Sequence, residues 1–275
     1  MWIVALPGTR TYLALDASCV TAAEVSHGVK TARLRTLARE PLAPGALMPG
    51  PAGANLADEA VVHAALVRVL ERVARERVTL VLPDGLARLA LLETPSGVDA
   101  REYVRFRLSS ALPWPAADAS VDTLAAGGSR VVGAAIGRAS VAEYEQAALA
   151  AGARVEQVFL APLVALAGLL RAGAGEAVHA VLGDVALCLA FVREGALVGL
   201  RSRRRDRSSG EASRVAEEMR RLQAASGNGH AGVALAMSGS DAPRLRADLG
   251  ELAPSLETSS LPDGDEAGWL GGLLQ

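Results

Sequence analysis

The chain has 275 residues, of which 51% are apolar, and its formal net charge is −2. This apolar content excludes an intrinsically disordered chain, and the length allows one large or two modest domains. A charge so near zero creates no overall field that would attract nucleic acid, so no nucleic-acid partner is expected. No segment reaches the roughly 18–20 unbroken apolar residues of a membrane span, and the N-terminus lacks the basic region of a secretory signal. We therefore expect a soluble, cytoplasmic protein.

The first half of the chain alternates β-prone runs with stretches of helical spacing. A Pro/Gly-rich stretch from Arg39 to Leu56 predicts an irregular connector. Asp58, Asp99 and Ser140 are predicted to cap helices, and Gly152 is predicted to end the third of these helices. The predicted strands of this half are 2–6, 11–16, 20–26, 78–82, 86–92 (as the partner of the strand before it), 131–136 and 154–162.

The second half continues the mixture of strands and helices. The predicted helices are 163–170, 211–225 and 242–250, and the predicted strands are a pair within 179–203 and a third at 232–240. Strands mixed with helices in this order predict an α/β fold. The hairpin-and-helix pattern of the start of the chain recurs near Val181, so the sequence predicts two halves of related structure.

Two apolar strands are each interrupted by an acidic turn. They are "LALDASCV", which contains Asp16, and "AVLGDVALCL", which contains Asp184. Each turn is either an ordinary hairpin or part of a phosphate cradle, and actin-like ATPases hold their phosphates between two such hairpins. A cradle normally has a glycine where this chain has Ser18, because backbone amides close on a phosphate only if no side chain blocks the approach.

The middle of the chain carries a more specific pattern. The strand "VTLVLPDG" is followed by a helix ending in Leu112–Trp114, an acidic strand at Val121–Thr123, and a strand–helix–strand unit from Ala134 to Val158. This order resembles the PilM-type actin-like proteins of type IV pilus assembly and, more distantly, the cytoplasmic region of GspL-type type II secretion proteins. The resemblance covers about the whole chain and is strong from Val78 to about Ala172. It rests on order and spacing, and none of these motifs is catalytic.

The resemblance implies an actin-like, FtsA/PilM-like two-lobed α/β fold. The implied division is a first domain of residues 1–77 plus 154–180, an inserted small α/β subdomain at 78–153, and a second domain at 181–275. The implied role is a scaffold, peripheral to the inner membrane, that recruits the N-terminal tail of a PilN-like bitopic protein. The assembly ATPase and platform proteins are further implied partners. We expect a mostly apolar groove between the subdomain and the first domain, with Arg88 and Arg105 as edge charges.

The first nucleotide loop of ATP-binding family members, "DIGsssvK", aligns with the stretch from Asp16 to Thr21. The aspartate is retained, the glycine is replaced by Ser18, and Ala23 falls near the position of the lysine. Compared with the family pattern, the first loop keeps its acidic residue. It lacks the glycine that lets the backbone approach a phosphate and the lysine that supplies a cation.

The second family loop, "vDIG", aligns with Val181–Gly183, so that Val181 stands where the metal-facing aspartate is expected and Asp184 replaces it only if the turn shifts. The adenosine-side glycine pair corresponds to Ser238 and Gly239. A triphosphate needs cations and free amides, so we expect no ATP hydrolysis, no catalytic residue and no resident metal site, while weak binding of ATP with Mg²⁺ remains open. The residues of this degenerate nucleotide site are Asp16, Ser18, Thr21, Gly183, Asp184 and Gly239.

Three alternatives stay open on the sequence. The arginine-rich stretch 201–210 is either a solvated loop or a surface that docks on acidic headgroups or an acidic partner. The chain is either a complete scaffold or the cytoplasmic part of a GspL-type protein that continues into a membrane span after Gln275. An active actin-like ATPase or kinase is the enzyme alternative, and Ser18 and Val181 count against it.

Overall fold

The computed structural model describes residues 8–28, 31–73, 76–171, 176–205, 210–225, 234–238, 241–252, 258–260 and 268–274. The strand predicted at residues 2–6 lies outside these ranges. In chain order the elements are β1 (Gly8–Leu15), β2 (Cys19–His27), β3 (Ala32–Pro41), α1 (Glu59–Leu70), β4 (Arg77–Leu82), β5 (Arg88–Glu93), α2 (Ala100–Leu108), β6 (Ala119–Gly127), β7 (Arg130–Gly137), α3 (Arg138–Ala150), β8 (Arg154–Leu160), α4 (Ala161–Arg171), β9 (Ala177–Leu182), β10 (Ala186–Arg193), β11 (Ala196–Arg204), α5 (Glu211–Ala225), β12 (Ala234–Ser238), α6 (Ala242–Leu252), β13 (Thr258–Ser260) and α7 (Gly268–Leu274).

Two five-stranded sheets have the same topology. The first has the order β3-β2-β1-β4-β8 and the second has the order β11-β10-β9-β12-β13. In both orders the first three strands pair in an antiparallel way. The last two strands run parallel to the central strand, which is β1 in the first sheet and β9 in the second. The recurrence seen in the sequence near Val181 is therefore a repeat of one fold, and we call the two halves the first lobe and the second lobe.

The strand β1 shows why the first sheet is covered on both faces. Its side chains alternate between the two faces, so Leu13 and Leu15 pack into one cluster with α1 and α3, and Tyr12 and Ala14 pack into another. A strand buried on both sides must be apolar at every position, which is why the run from Tyr12 to Leu15 does not alternate in polarity.

The helix α7 covers the second face of that sheet. Trp269 is 6% exposed and lies with its ring 6.4 Å from the ring of Tyr12, so this tryptophan docks the C-terminal segment on the core. The helix crosses α4 at very short range, since a Cβ added to Gly272 would lie 2.3 Å from the carbonyl oxygen of Val164. The C-terminal helix thus packs with the first lobe, whereas the domain limits implied by the resemblance include it in the second domain.

The helix α4 lies between the lobes. Val164 packs in the first-lobe cluster with Trp269, whereas Leu166 and Leu169 pack against Val181 and Cys188 of the second sheet. The opposite face of the second sheet is covered by α5 and α6. No helix among the described residues is long and apolar enough to cross a membrane.

A small sheet is inserted into the first lobe. Its order is β5-β7-β6, and α2 packs on one face through Val104 and Leu108. The other face contacts the second lobe, where Val132 packs with Leu197. We call α2 and these three strands the inserted unit.

The sheets do not follow the domain limits taken from the resemblance. The strand β4 lies inside the first sheet, so a boundary at Val78 would cut that sheet, and α3 packs in the first-lobe core through Tyr144. The strand β9 begins at Ala177, so a boundary at Val181 would cut the second sheet. We propose an inserted unit of residues 88–137 and a second lobe that begins at Ala177.

The predicted N-terminal helix caps are confirmed at two of three positions. Asp58 accepts a hydrogen bond from the amide of Val61, and Asp99 accepts one from the amide of Glu102. Ser140 is not a cap, because the helix follows β7 directly from Arg138 and Ser140 is buried inside it.

Two strand predictions also need correction. Part of the predicted connector belongs to β3, which reaches Pro41 and pairs with β2, because hairpin pairing extends the strand into the Pro/Gly-rich stretch. The strand β5 does not pair with β4 as predicted but with β7, since the turn at Asp84–Leu86 carries the chain out of the first sheet.

Candidate functional site

The first acidic turn joins β1 to β2 at the end of the first lobe. The amide of Asp16 donates to the carbonyl of Cys19 at 2.9 Å, and the Asp16 carboxylate accepts a hydrogen bond from the amide of Ala17 at 3.1 Å. Asp16 is half-buried, and Thr21 is buried below the turn. The acidic side chain therefore caps its own turn.

The second acidic turn joins β9 to β10 and touches the first. The amide of Gly183 closes this turn on the carbonyl of Ala186 at 3.0 Å, which leaves Asp184 at its tip. The amide of Ser18 donates to Oδ2 of Asp184 at 2.7 Å, so a residue of the second lobe binds the backbone of the first. The two turns, 166 positions apart in the chain, face each other across one cleft.

A third carboxylate enters the cleft from the turn after β4. Oδ2 of Asp84 accepts a hydrogen bond from the amide of Ala186 at 2.9 Å, and the Val185 amide also bonds this carboxylate. Burial raises the pKa of the Asp84 carboxyl to about 6, although the hydrogen bond from Ala186 acts in the opposite direction. Asp84 belongs to the first lobe, because Leu86 in the same turn is buried in the first-lobe core.

Arg205 supports the second turn from behind. Its side chain is 2% exposed, and its Nη1 donates to the carbonyl of Gly183 at 2.7 Å. The charge is balanced by Glu211, which accepts from Nε at 2.8 Å, and by Asp241 at 3.0 Å. The Arg205 amide also donates to the carbonyl of Val185, so both the backbone and the side chain of this residue position the turn.

The arginine-rich stretch is therefore not uniformly a solvated loop. The Arg205 side chain is buried in the network behind the turn, Arg203 forms an ion pair with Glu218, and Arg201 and Arg204 are exposed. Residues 206–209 lie outside the described ranges.

The space left between the turns is small. The cavity has a volume of about 50 Å³, whereas ligand sites commonly measure roughly 300–1,000 Å³. Asp16, Asp84 and Asp184 line it, with Arg39 as the basic residue of the lining. An anion entering this space would meet three carboxylates, and it would find the amides of Ser18 and Ala186 already bonded.

The structure brings together most of the residues predicted for the nucleotide site. The five that line this cleft are Asp16, Ser18, Thr21, Gly183 and Asp184. Gly239 lies outside the described residues. Sequence reasoning missed Asp84 and Arg205, and the signal for the first was present, since "PDG" directly follows a buried strand. In the part of the chain that is described, no group of three or more histidine, cysteine or acidic side chains is placed to hold a metal ion.

A second, larger concavity lies between the inserted unit and the first lobe. This groove has a volume of about 830 Å³. The strand β6 contributes consecutive residues from Ser120 to Gly127, so its edge faces the groove, and the other edge of β6 pairs with β7. The strand β8 likewise contributes the consecutive residues Val158 to Leu160, and α4 supplies further apolar side chains.

The lining of the groove is mostly apolar, with charges at a few points. Its large apolar side chains include Leu124, Ile136, Val158, Phe159, Leu163 and Leu170. Arg101 of α2 donates to Asp122 of β6 at 2.9 Å, and both line the groove. Arg171 also lines it and donates to the carbonyl of Gly272 at 2.5 Å.

The two arginines predicted as edge charges do not line this groove. Arg105 is paired with Glu102 at 2.7 Å on α2, and Arg88 is an exposed residue at the start of β5. Arg101, one helical turn before Arg105, is the arginine of this helix that reaches the groove.

Comparisons with known proteins identify the fold. No family model matches the chain, and no curated protein does. Solved structures match over most of the chain. One is a Bacteroides thetaiotaomicron protein described as having an actin-like ATPase fold and unknown function, with a TM-score of 0.60 and 10% identity over 98% of this chain and 96% of that one. The chain therefore has the actin-like ATPase fold, as the sequence resemblance implied.

Two further structures are similar within this fold. The PilM–PilN type IV pilus biogenesis complex matches with a TM-score of 0.71 and 18% identity, over 96% of this chain and 97% of that chain. The cytoplasmic domain of EpsL, an inner-membrane component of the type II secretion system of Vibrio cholerae, matches with a TM-score of 0.53 and 11% identity, over 84% and 82% of the two chains. Pilus and secretion proteins are thus among the structures that share this fold with the chain.

Proposed function

We propose that this chain is a PilM-type scaffold of a type IV pilus or related secretion system, and that it recruits the N-terminal tail of a PilN-like bitopic inner-membrane protein. The observation that carries the proposal is the groove between the edges of β6 and β8 that pair with no other described strand. The similarity to the PilM–PilN complex over nearly the whole chain supports the same assignment. In this role the protein is cytoplasmic and is held at the inner membrane by its partner, and the assembly ATPase and platform proteins are further partners.

The groove has the properties that an extended tail requires. The outer edge of β6 offers backbone amides and carbonyls to an added strand, and such pairing provides affinity without depending on side chains. Alternate side chains of the tail then enter the apolar lining around Leu163 and Leu170, which provides specificity. The Arg101–Asp122 pair and Arg171 supply the polar groups that fix its orientation.

We further propose that the protein does not hydrolyse ATP and binds Mg-ATP weakly at most. The cleft between the acidic turns is far smaller than a nucleotide, and it is lined by Asp16, Asp84 and Asp184. A triphosphate brings several negative charges, which this lining does not offset. The proposed role is therefore binding, not chemistry.

The tail proposal is tested by calorimetric titration of a synthetic N-terminal tail from the bitopic protein encoded beside this gene. Ala125 is a small, exposed residue of the groove, so Ala125→Trp should fill the groove and weaken binding at least tenfold. Ala117→Trp is the matched control, since Ala117 is exposed and outside the groove. Equal affinity of both variants would show that the tail does not bind in the groove, and no binding by the parent protein would reject the proposal.

The nucleotide proposal is tested by thermal melting with Mg-ATP. Stabilisation scales as RT ln(1 + [L]/Kd), so millimolar ATP at a micromolar site would add about 4 kcal/mol, and at a millimolar site well under about 1 kcal/mol. We expect a shift of at most about one degree. A shift of several degrees that Asp16→Ala abolishes would show tight nucleotide binding at this site and would reject the weak-binding proposal.

A GspL-type secretion protein is the second candidate, and the similarity to the cytoplasmic domain from V. cholerae favours it. In that case the coding sequence would continue beyond Gln275 into a membrane-spanning segment. Sequencing the gene region through this point distinguishes the two candidates.

A further inference from the structure

The cleft contains carboxylates at the positions where backbone amides of two facing hairpins would meet an anion. Amides exposed at tight turns form concavities that bind phosphate. Here Oδ2 of Asp184 accepts a hydrogen bond from the amide of Ser18 at 2.7 Å, and Oδ2 of Asp84 accepts one from the amide of Ala186 at 2.9 Å. We propose that Asp84 and Asp184 stand in for a bound polyphosphate and hold the two lobes closed without nucleotide.

The two contacts run in opposite directions between the lobes. Asp184 belongs to the second lobe and binds the backbone of the first, whereas Asp84 belongs to the first lobe and binds the backbone of the second. A polyphosphate between two hairpins makes the same kind of reciprocal bridge, because it accepts from amides on both sides. The two carboxylates provide this bridge as part of the chain.

The surroundings of the second turn fit this role. A Cβ added to Gly183 would lie 1.9 Å from Oδ2 of Asp84, so only glycine lets this carboxylate reach the turn. Arg205 holds the carbonyl of Gly183 from behind and is itself fixed by Glu211. The turn is thus supported on one side and occupied on the other, and about 50 Å³ of open space remains.

This closure has a consequence for the groove. The helix α4 contributes Leu163 and Leu170 to the groove and packs between the lobes through Leu166 and Leu169. A cleft that is closed without a ligand keeps α4 in one position, so the groove is formed in advance of tail binding. This inference rests on the proposal that the protein does not hydrolyse ATP. The proposed binding of the tail does not depend on it.

The chain contains two cysteines, and both line this cleft. Cys19 is half-buried, whereas Cys188 is 3% exposed, and burial raises the pKa of the Cys188 thiol to about 12. Alkylation of Cys188 therefore requires the cleft to open, since the thiolate is the reactive form. The rate of alkylation at each cysteine reports on closure without any introduced probe.

The experiment alkylates the native protein with N-ethylmaleimide and follows each cysteine by peptide mass spectrometry. We expect Asp184→Ala to raise the rate at Cys188 at least tenfold. Asp84 is kept in this variant because its charge also raises the pKa of the Cys188 thiol, so its removal would speed alkylation without any opening. Asp118→Ala is the control, since Asp118 is exposed and lies outside the cleft, and it should keep the parent rate. Asp184→Ala is the primary variant because Asp184 is only half-buried, and its fold is checked by circular dichroism.

Two results would overturn the inference. The first is an unchanged Cys188 rate in folded Asp184→Ala. The second is slower alkylation of Cys19 in the parent protein with 1 mM inorganic triphosphate or Mg-ATP, which would mean that an anion enters the cleft despite the carboxylates. Titration of the tail peptide on the same samples separates the proposals, because unchanged alkylation with intact tail binding rejects only the closure, and absent tail binding rejects only the scaffold role.

Discussion

Gly183 lies directly against the carboxylate of Asp84, and a Cβ on Gly183 would fall 1.9 Å from Oδ2 of Asp84. We expect Gly183→Ala to lower the free energy of unfolding by about 1–3 kcal/mol, because the turn or the carboxylate must move. Adding Asp84→Gly should recover part of the loss, since the two side chains would no longer compete for space.

Urea unfolding of the two single variants and the double variant measures this coupling. Gly250→Ala is the control: this helical glycine has open space around its Cβ position, so alanine should be neutral or stabilising there. Additive effects of Gly183→Ala and Asp84→Gly would show that the close approach has no energetic role.

The titration of Asp84 should appear in the stability of the protein. Burial raises the folded-state pKa of Asp84 to about 6 from an ordinary value of 3.8. A raised pKa means that this group favours the folded state below pH 3.8 and that this contribution is lost as the pH rises through about 6. Asp84→Asn keeps an acceptor oxygen and removes the charge, so we expect it to stabilise the protein by about 1–2 kcal/mol at pH 8.

At pH 4 the same substitution should have little effect, because the carboxyl is then neutral in the folded protein. Unfolding by urea at the two pH values measures the difference. A stabilisation by Asp84→Asn that is equal at pH 4 and pH 8 would contradict the raised pKa.

His179 should make the protein sensitive to acid. Its ring is 3% exposed on β9, and neither ring nitrogen has a hydrogen-bond partner among the described residues. Burial lowers the pKa of His179 from 6.5 to about 4, so this ring is protonated at a lower pH in the folded state than in the unfolded state. The contribution of the neutral His179 ring to the free energy of unfolding is fully present above pH 6.5. It is lost as the pH falls towards 4, by about 3 kcal/mol in total.

We expect His179→Leu to flatten this part of the pH profile, because leucine fills a similar volume without a titrating group. His63→Leu is the control, since His63 is exposed on α1. The measurement is the urea midpoint between pH 7 and pH 4.5. Parallel profiles for the parent and His179→Leu would assign the acid sensitivity to other groups.

Removal of Arg205 should be strongly destabilising. Arg205→Ala leaves Glu211, which is 6% exposed at its side chain, without its main cationic partner, and it frees the carbonyl of Gly183. Loss of one partner from a buried ion pair costs about 3–5 kcal/mol. Arg204→Ala changes the neighbouring exposed arginine and should shift the unfolding free energy by less than about 0.5 kcal/mol. Similar melting temperatures for the two variants would show that the buried network is not required.

Arg101 should matter more for the tail than Arg105. Arg101 lines the groove beside Asp122, whereas Arg105 is paired with Glu102 outside it. We expect Arg101→Ala to weaken tail binding by about three- to tenfold, as is usual for a charge at the rim of an interface, and Arg105→Ala to leave it unchanged. Calorimetric titration with the same peptide measures both affinities. A larger loss in Arg105→Ala than in Arg101→Ala would indicate that the tail binds on the outer face of α2.

Local chemistry determined much of this fold in advance. The buried run of β1, the caps at Asp58 and Asp99 and the two acidic turns are visible in the sequence, because each depends on neighbours a few residues away. The repeat of the hairpin near Val181 likewise predicted two related halves, and the observed sheets have one topology. Ser140 shows the limit of this reasoning, since a serine before an apolar helix is also compatible with a position inside it.

The closed cleft was decided by tertiary structure. The bonds from Ser18 to Asp184 and from Ala186 to Asp84 join residues 166 and 102 positions apart, and nothing in the local sequence specifies which carboxylate meets which amide. The groove likewise depends on which strand edges pair with no other described strand, and this follows from how the three sheets pack and not from the strands themselves. Patterns along the chain predict elements and turns, whereas the distances between those turns arise from packing of the whole molecule around α4.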